Sequence, residues 1–322
     1  MSRSDPVTFD PRKPLDDPGR VPAPKYSRWW TWQHRYSPYL FVAPFVILFC
    51  VFLVYPLSRS FSLSFYKTIG PRDARFIGAA NYRFLLADRM FWLAVANTVG
   101  YAIVFLSIQI PAALGLAILL NSKRVRAKPI FRFAFFSTHL VGSVFVAVLF
   151  SQILSPRTGL LNHVLSGLLG HTVEINWLAE PNLALPSVLL AGLWLSIGYA
   201  MVYFLAALQA VDTELYEAAK VDGAGSWSQF WHVTLPGIRP VLIFMILVGM
   251  IGALQLFELP YVLFQQSPGP LSRALTIVMY LFMTGWSIGD LGYASAIGWA
   301  LVVLIASVAI IQWRIAGNVE QS

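Results

Sequence analysis

The chain is 322 residues long, 57% hydrophobic and only 12% charged, with a formal net charge of +8. A soluble domain carries about a quarter charged residues, so this composition excludes an ordinary soluble enzyme and predicts an all-α, multispanning membrane protein. The positive balance is that of basic loops facing an anionic membrane surface, and the apolar bulk excludes a nucleic-acid binder.

Residues 1–38 read as a cytoplasmic tail. Its prolines and charges, with few apolar residues, predict partial disorder. No apolar core precedes Tyr39, so no cleavable signal peptide is read. Trp29, Trp30, Trp32 and Tyr36, with Arg28 and Arg35, form an interfacial belt suited to membrane lipid. The single cysteine, Cys50, lies in an apolar run, which excludes an internal disulfide and a cysteine-rich metal site.

Six segments are long enough to cross about 30 Å of hydrocarbon: 39–58, 92–120, 130–154, 185–210, 238–264 and 291–313. They make up one membrane domain, 39–315, followed by a short cytoplasmic tail, 316–322. Small residues recur in "IPAALGLAILL" and "GYASAIGWALVVLIASVAI", which predicts close helix packing. Basic residues gather in the N-terminal tail, in "KRVRAKPIFR" and at Lys220, Arg239 and Arg314. The positive-inside rule therefore places both termini, and the loop 212–236, in the cytoplasm.

That loop is a charged island between two apolar runs. Asp212 is a natural N-cap, with Glu214 in the first turn, where the helix dipole favours negative charge. "TELYEAAKVD" is rich in helix formers, and Gly223 supplies a stop. Ser226 is expected to cap a second short helix, with Gln229 as its capping-box partner. Pro236 starts the route back into the membrane. Ala218 and Ala219 would let another protein approach closely, and Glu217, Lys220 and Asp222 can make charged contacts. There is no G-x-x-x-x-G-K-[ST] phosphate loop, so ATP hydrolysis is not expected of this chain.

"EAAKVDGAGSWSQFWHVTLP" resembles the signature loop of the membrane subunits of bacterial ABC importers. Glu217, Ala218, Ala219, Gly223, Val233, Leu235 and Pro236 fill that pattern, with valine where isoleucine is commoner. "YSPYLFVAPFVILFCVFLVYPLSRSFSLSFY", "GAANYRFLL", "ANTVGYAI" and "LFELPYVLFQQSPGPLSRALTIVMYLFMTGWSIGDLGYASAIGWAL" are similar to the sugar-importer branch, of the maltose and glycerol-phosphate permease type. The resemblance covers about residues 36 to 315. It departs at Gln266–Pro270, where the family often has Thr-x-Gly-Gly-Pro, and at Phe257–Glu258, where it often has Phe-Asp. The resemblance implies the type I importer permease fold with six transmembrane helices, in the bacterial inner membrane. It also implies a second permease subunit, two copies of a cytoplasmic ATP-binding subunit and an extracytoplasmic substrate-binding protein. ATP would be used by the partners, with no cofactor bound directly. Glu217, Ala218, Ala219, Asp222, Gly223, Leu235 and Pro236 would then form the coupling helix that sits in a groove of the ATPase.

Glu258 is expected deep in span five, where an unpaired carboxylate is costly and must face protein, water or substrate. Pro260 can kink the helix and free backbone carbonyls. Gln255 shares the face of Glu258, and Phe257 and Tyr261 offer rings of the kind sugars pack on. Substrate contact, a hydrogen bond to another helix and a proton relay remain open for this cluster. Tyr199 and Tyr203, four apart, are further pathway candidates beside Trp194, Ser196 and Gln209, with an aromatic packing stripe as the favoured alternative. Asn97, Thr98 and Gln109 read as packing or interhelical hydrogen bonds. His34, His139, His163, His171 and His232 show no metal spacing; His139 reads as pairing with a neighbouring helix and the others as surface or interfacial, and no catalytic constellation emerges. The leading function is the membrane subunit of an ATP-driven importer of a mono-, di- or oligosaccharide. The alternatives are the same architecture carrying glycerol phosphate or a polyol, and an ion-coupled secondary transporter built around Glu258.

Overall fold

The computed structural model describes residues 28–70, 73–122 and 125–320. The disorder expected of residues 1–27 lies outside the described residues, as do the side chains of Trp29 and Trp30. The chain divides into two compact units, Met1–Arg59 and Ser60–Ser322. In the first, an α-helix over Arg28–Phe49 continues through a wide π-helical turn, Cys50–Val54, into the helix Tyr55–Leu63. Phe41, Phe45 and Phe52 on it are exposed, and the apolar stretch Tyr39–Leu63 is long enough to cross a membrane.

The second unit opens with an antiparallel hairpin, Tyr66–Ile69 with Asp73–Phe76, in the register Tyr66↔Phe76 and Thr68↔Ala74. Four further helices are long and apolar enough to span: Arg89–Asn121, Pro181–Ala210, Ser226–Leu254 and Leu291–Arg314. The pair Lys128–Leu140 and Ser143–Ile153 brings the count to six when taken as one broken span. Polar backbone in hydrocarbon must be satisfied within the segment, which is why every crossing element is helical.

Two expected spans are interrupted. Segment 130–154 is not one helix but two, bent by 100°. Val141 and Gly142 take extended backbone there, and a β-branched residue beside a glycine is a weak helical pair. Segment 238–264 stops at Leu254 and resumes as the short helix Glu258–Leu263. Pro260 explains the break: its ring clashes with the Leu256 carbonyl and it has no N–H to give it. That carbonyl instead accepts from the Thr276 hydroxyl at 2.7 Å.

Small residues set the closeness of packing. Ala94, Ala102, Ala113 and Ala117 of the 89–121 helix are wholly enclosed, as are Ala184, Ala191 and Ala200 of the 181–210 helix. At Gly198 a Cβ would overlap the Phe135 carbonyl oxygen, and at Gly192 it would meet the Tyr101 hydroxyl. Small side chains let helix backbones meet where lipid supplies no hydrophobic drive.

Polar ties hold the other end of the unit. Asn97 donates to the carbonyls of Ser272 and Leu275 at 2.9 and 3.0 Å, and the Ile277 N–H donates to Thr98 at 3.0 Å. These are the hydrogen bonds the sequence suggested for Asn97 and Thr98. Asp88 caps the 89–121 helix through the Met90 N–H at 2.9 Å. It also accepts from the hydroxyls of Tyr280 and Tyr293 at 2.5 and 2.6 Å. Burial opposes its charge, but these bonds outweigh it and hold the Asp88 carboxyl below its ordinary pKa. The hairpin is pinned to the last helix by Thr68, which donates to Asp290 at 3.2 Å and accepts from the Gly292 N–H at 3.0 Å.

Candidate functional site

Two regions concentrate the residues singled out by sequence. The first is the island between the 181–210 and 235–254 helices. Asp212 caps the helix Thr213–Val221 as expected, accepting from the Glu214 N–H at 2.9 Å. The chain then turns sharply at Gly223, whose φ is 79°, a conformation that favours glycine. The Ala224 N–H closes the helix on the Ala219 carbonyl at 2.8 Å. Ser226 does not cap the next helix: Gly225 holds that position with no side-chain bond. Gln229 donates instead to the Ala224 carbonyl at 2.7 Å. The Tyr216 hydroxyl meets that of Thr234 at 3.1 Å, closing the island on its return.

Glu217, Ala218, Asp222 and Gly223 are exposed, Ala219 is half-buried, and Val221 is 87% exposed. Leu235 and Pro236 begin the returning helix, the first half-buried and the second exposed. The island is therefore a fixed knob with a small-residue face and a charged rim, and it contains no catalytic arrangement.

The second region is a cavity of about 710 Å³ among the helices. Tyr101, Phe105 and Gln109 line it from one helix, and Gly192, Ser196 and Tyr199 from another. Both sets recur at helical spacing, so each presents one face. The two helix breaks supply the rest, His139 and Ser143 from one and Gln255, Phe257 and Glu258 from the other.

Glu258 does not lie deep within a continuous span. It opens the short helix after the break, exposed, and accepts a hydrogen bond from the Ser143 hydroxyl. Gln255, Phe257 and Tyr199 also reach the cavity. Tyr261 stands behind the lining, stacked on Phe257 with centroids 5.0 Å apart. Tyr203 packs between Tyr199 and Phe244 at 4.8 and 6.1 Å. His139, expected to pair with a neighbouring helix, stacks its ring on Tyr199 at 4.5 Å; sequence reasoning passed over Ser143 and Tyr101. The four-residue spacing of Tyr101, Phe105 and Gln109 was a signal available for that face. Gln109 is buried; its amide N–H points to the Ser196 carbonyl at 3.5 Å, and its Oε1 has no partner among the described residues. Among the described residues no three His, Cys, Asp or Glu side chains gather to hold a metal.

Comparison with known proteins bears on both regions. The family model described as binding-protein-dependent transport system inner membrane component matches residues 34–321. The chain belongs to this family. The permease is thus the membrane component of an importer and not its catalytic subunit. It is 36% identical over 313 residues to an arabinooligosaccharides transport system permease protein, AraP, of Bacillus subtilis (strain 168), covering 95% of this chain and 98% of that one. It is 35% identical over 281 residues to a lactose transport system permease protein, LacF, of Rhizobium radiobacter, covering 86% and 93%. In fold it is similar to a chain of a bacterial ABC transporter involved in the import of the acidic polysaccharide alginate. The TM-score there is 0.77 at 24% identity, over 91% of the permease and 99% of that chain. The all-α, multispanning importer permease architecture expected from sequence is the architecture observed.

Proposed function

We propose that the permease is one of two membrane subunits of an ATP-driven importer that takes a saccharide from an extracytoplasmic binding protein and releases it into the cytoplasm. The cavity carries this reading. Aromatic rings at Tyr101, Phe105 and Tyr199 and polar groups at Gln109, Gln255 and Glu258 converge there, the combination suited to sugar rings with an apolar C–H face and a rim of hydroxyls. The names of the AraP and LacF relatives support a carbohydrate. Gln255, Phe257, Glu258 and Tyr199 are the substrate contacts, with Tyr261 and Tyr203 supporting them. The island, through Glu217, Ala218, Ala219, Asp222, Gly223, Leu235 and Pro236, is the joint with two ATP-binding subunits.

The test is uptake into vesicles holding the purified complex and its binding protein, with arabinotriose, lactose and glycerol phosphate, with and without internal ATP. ATP-dependent uptake of a sugar is expected, and Glu258→Leu should reduce it more than Glu258→Gln, which keeps an acceptor. Preference for glycerol phosphate would redirect the substrate assignment. Uptake driven by a proton gradient without ATP would defeat the importer reading.

Both termini and the island face the cytoplasm in this proposal, with 39–315 as the permease domain between tails. After Cys50→Ser, single cysteines at Lys220 and Thr172, both exposed, should differ towards an impermeant thiol reagent in intact cells. Thr172→Cys should label and Lys220→Cys should not; the reverse pattern would invert the orientation.

A further inference from the structure

We infer that the cavity is selective for uncharged saccharides and that Glu258 is the residue that turns carboxylated ones away. The inference rests on the cavity being the substrate site. Its lining combines one carboxylate, Glu258, with no lysine or arginine among the described residues. An anionic ligand therefore meets a like charge and no counter-charge from this chain.

The hydrogen-bonding inventory points the same way. One oxygen of Glu258 accepts from Ser143; the other, Oε1, has no partner among the described residues. The buried Gln109 Oε1 is likewise unpartnered there. Its amide cannot simply be turned over, because its oxygen would then face the Ser196 carbonyl. The Ser196 hydroxyl is already committed to the Gly192 carbonyl at 2.8 Å, and that of Ser143 to Glu258. The Tyr101 and Tyr199 hydroxyls, the Gln255 amide and the His139 ring can still either give or take. The lining is thus biased towards acceptors, and its ligand must bring donors. Sugar hydroxyls are donors; an ionised carboxylate is an acceptor only. A buried acceptor left unpaired penalises the wrong ligand, the stronger form of discrimination available to a polar site.

The experiment is equilibrium binding to the purified complex, without its binding protein, so that delivery does not set the preference. The probes are arabinotriose, lactose and a matched pair, galactobiose and digalacturonate, which differ in their carboxylates. In the parent complex galactobiose should bind at least about tenfold more tightly than digalacturonate, and that ratio should narrow as salt is raised. Glu258→Gln should narrow the ratio at least about fivefold while Glu258→Asp keeps it. Equal affinities in the parent, or a ratio unmoved by Glu258→Gln in a complex that still assembles, would overturn the inference and leave the saccharide reading standing. The parent ratio decides the matter even if the variants fail to assemble. Absence of binding by all the neutral sugars would overturn both.

Discussion

Replacing Gly198 with alanine is expected to lower the melting temperature of the purified permease by about 6–12 °C. The added Cβ would overlap the Phe135 carbonyl oxygen, and the Phe136 N–H lies beside it at 3.1 Å. Backbone cannot swing aside as a flexible side chain can, so the 181–210 and 128–140 helices must separate. Overpacking of this kind costs about 3 kcal/mol at the upper end of its usual range, and valine in place of alanine should prevent recovery of folded protein. Gly115 is the control: nothing lies within 4 Å of a Cβ there, and alanine in that open helical position should be neutral or stabilise by up to about 1 kcal/mol. Thermal unfolding of the parent and the two alanine variants in one detergent measures the contrast. A Gly198→Ala protein that melts with the parent would show that this crossing is not closed by backbone contact.

The second large effect is on transport and leaves the fold in place. Ala219→Arg puts a long charged side chain at a half-buried position on the island, and Gly223→Asp adds charge at the exposed turn where φ is 79°. Aspartate tolerates that conformation better than most residues, so the local strain is small and assembly should survive. Uptake should fall about tenfold or more, within the range of roughly 1–3 kcal/mol typical of coupling between distant sites. Basal ATP hydrolysis by the partner subunits should persist while its stimulation by substrate is lost. Uptake and stimulated hydrolysis that match the parent in both variants would remove the island from the coupling path.

Much of the candidate site was legible before the structure was known, for reasons that differ from residue to residue. Asp212 announced its helix because a cap acts within one turn of its own position. Pro260 announced a break because the missing N–H is a property of the residue itself. Glu258 stood out because a carboxylate in an apolar run is costly wherever it lies. His139 stood out only as a candidate to pair with some neighbouring helix, since a lone histidine near a helix end has many uses. It became significant when its ring was found against Tyr199, 60 positions away in the chain. The Ser226 cap failed because the helix starts one residue earlier than expected, with Gly225 at the N-cap and Ser226 already in the first turn.

The sequence by itself determined the membrane class, the apolar segments and the island between the fourth and fifth of six expected spans. Each follows from constraints that act along the chain: about 20 apolar residues to cross hydrocarbon, backbone satisfied inside each helix, charge kept to the loops. Tertiary structure decided where two of those segments break and what the breaks enclose. The Leu256 carbonyl freed by Pro260 needed an acceptor's partner, and only the fold could supply Thr276. The cavity draws Tyr101, Ser143, Gly192 and Glu258 from four separate helices. Their meeting depends on how closely the helices cross, and that closeness is set by small residues such as Gly192 and Gly198, whose effect is felt on a neighbouring helix and leaves no pattern in their own.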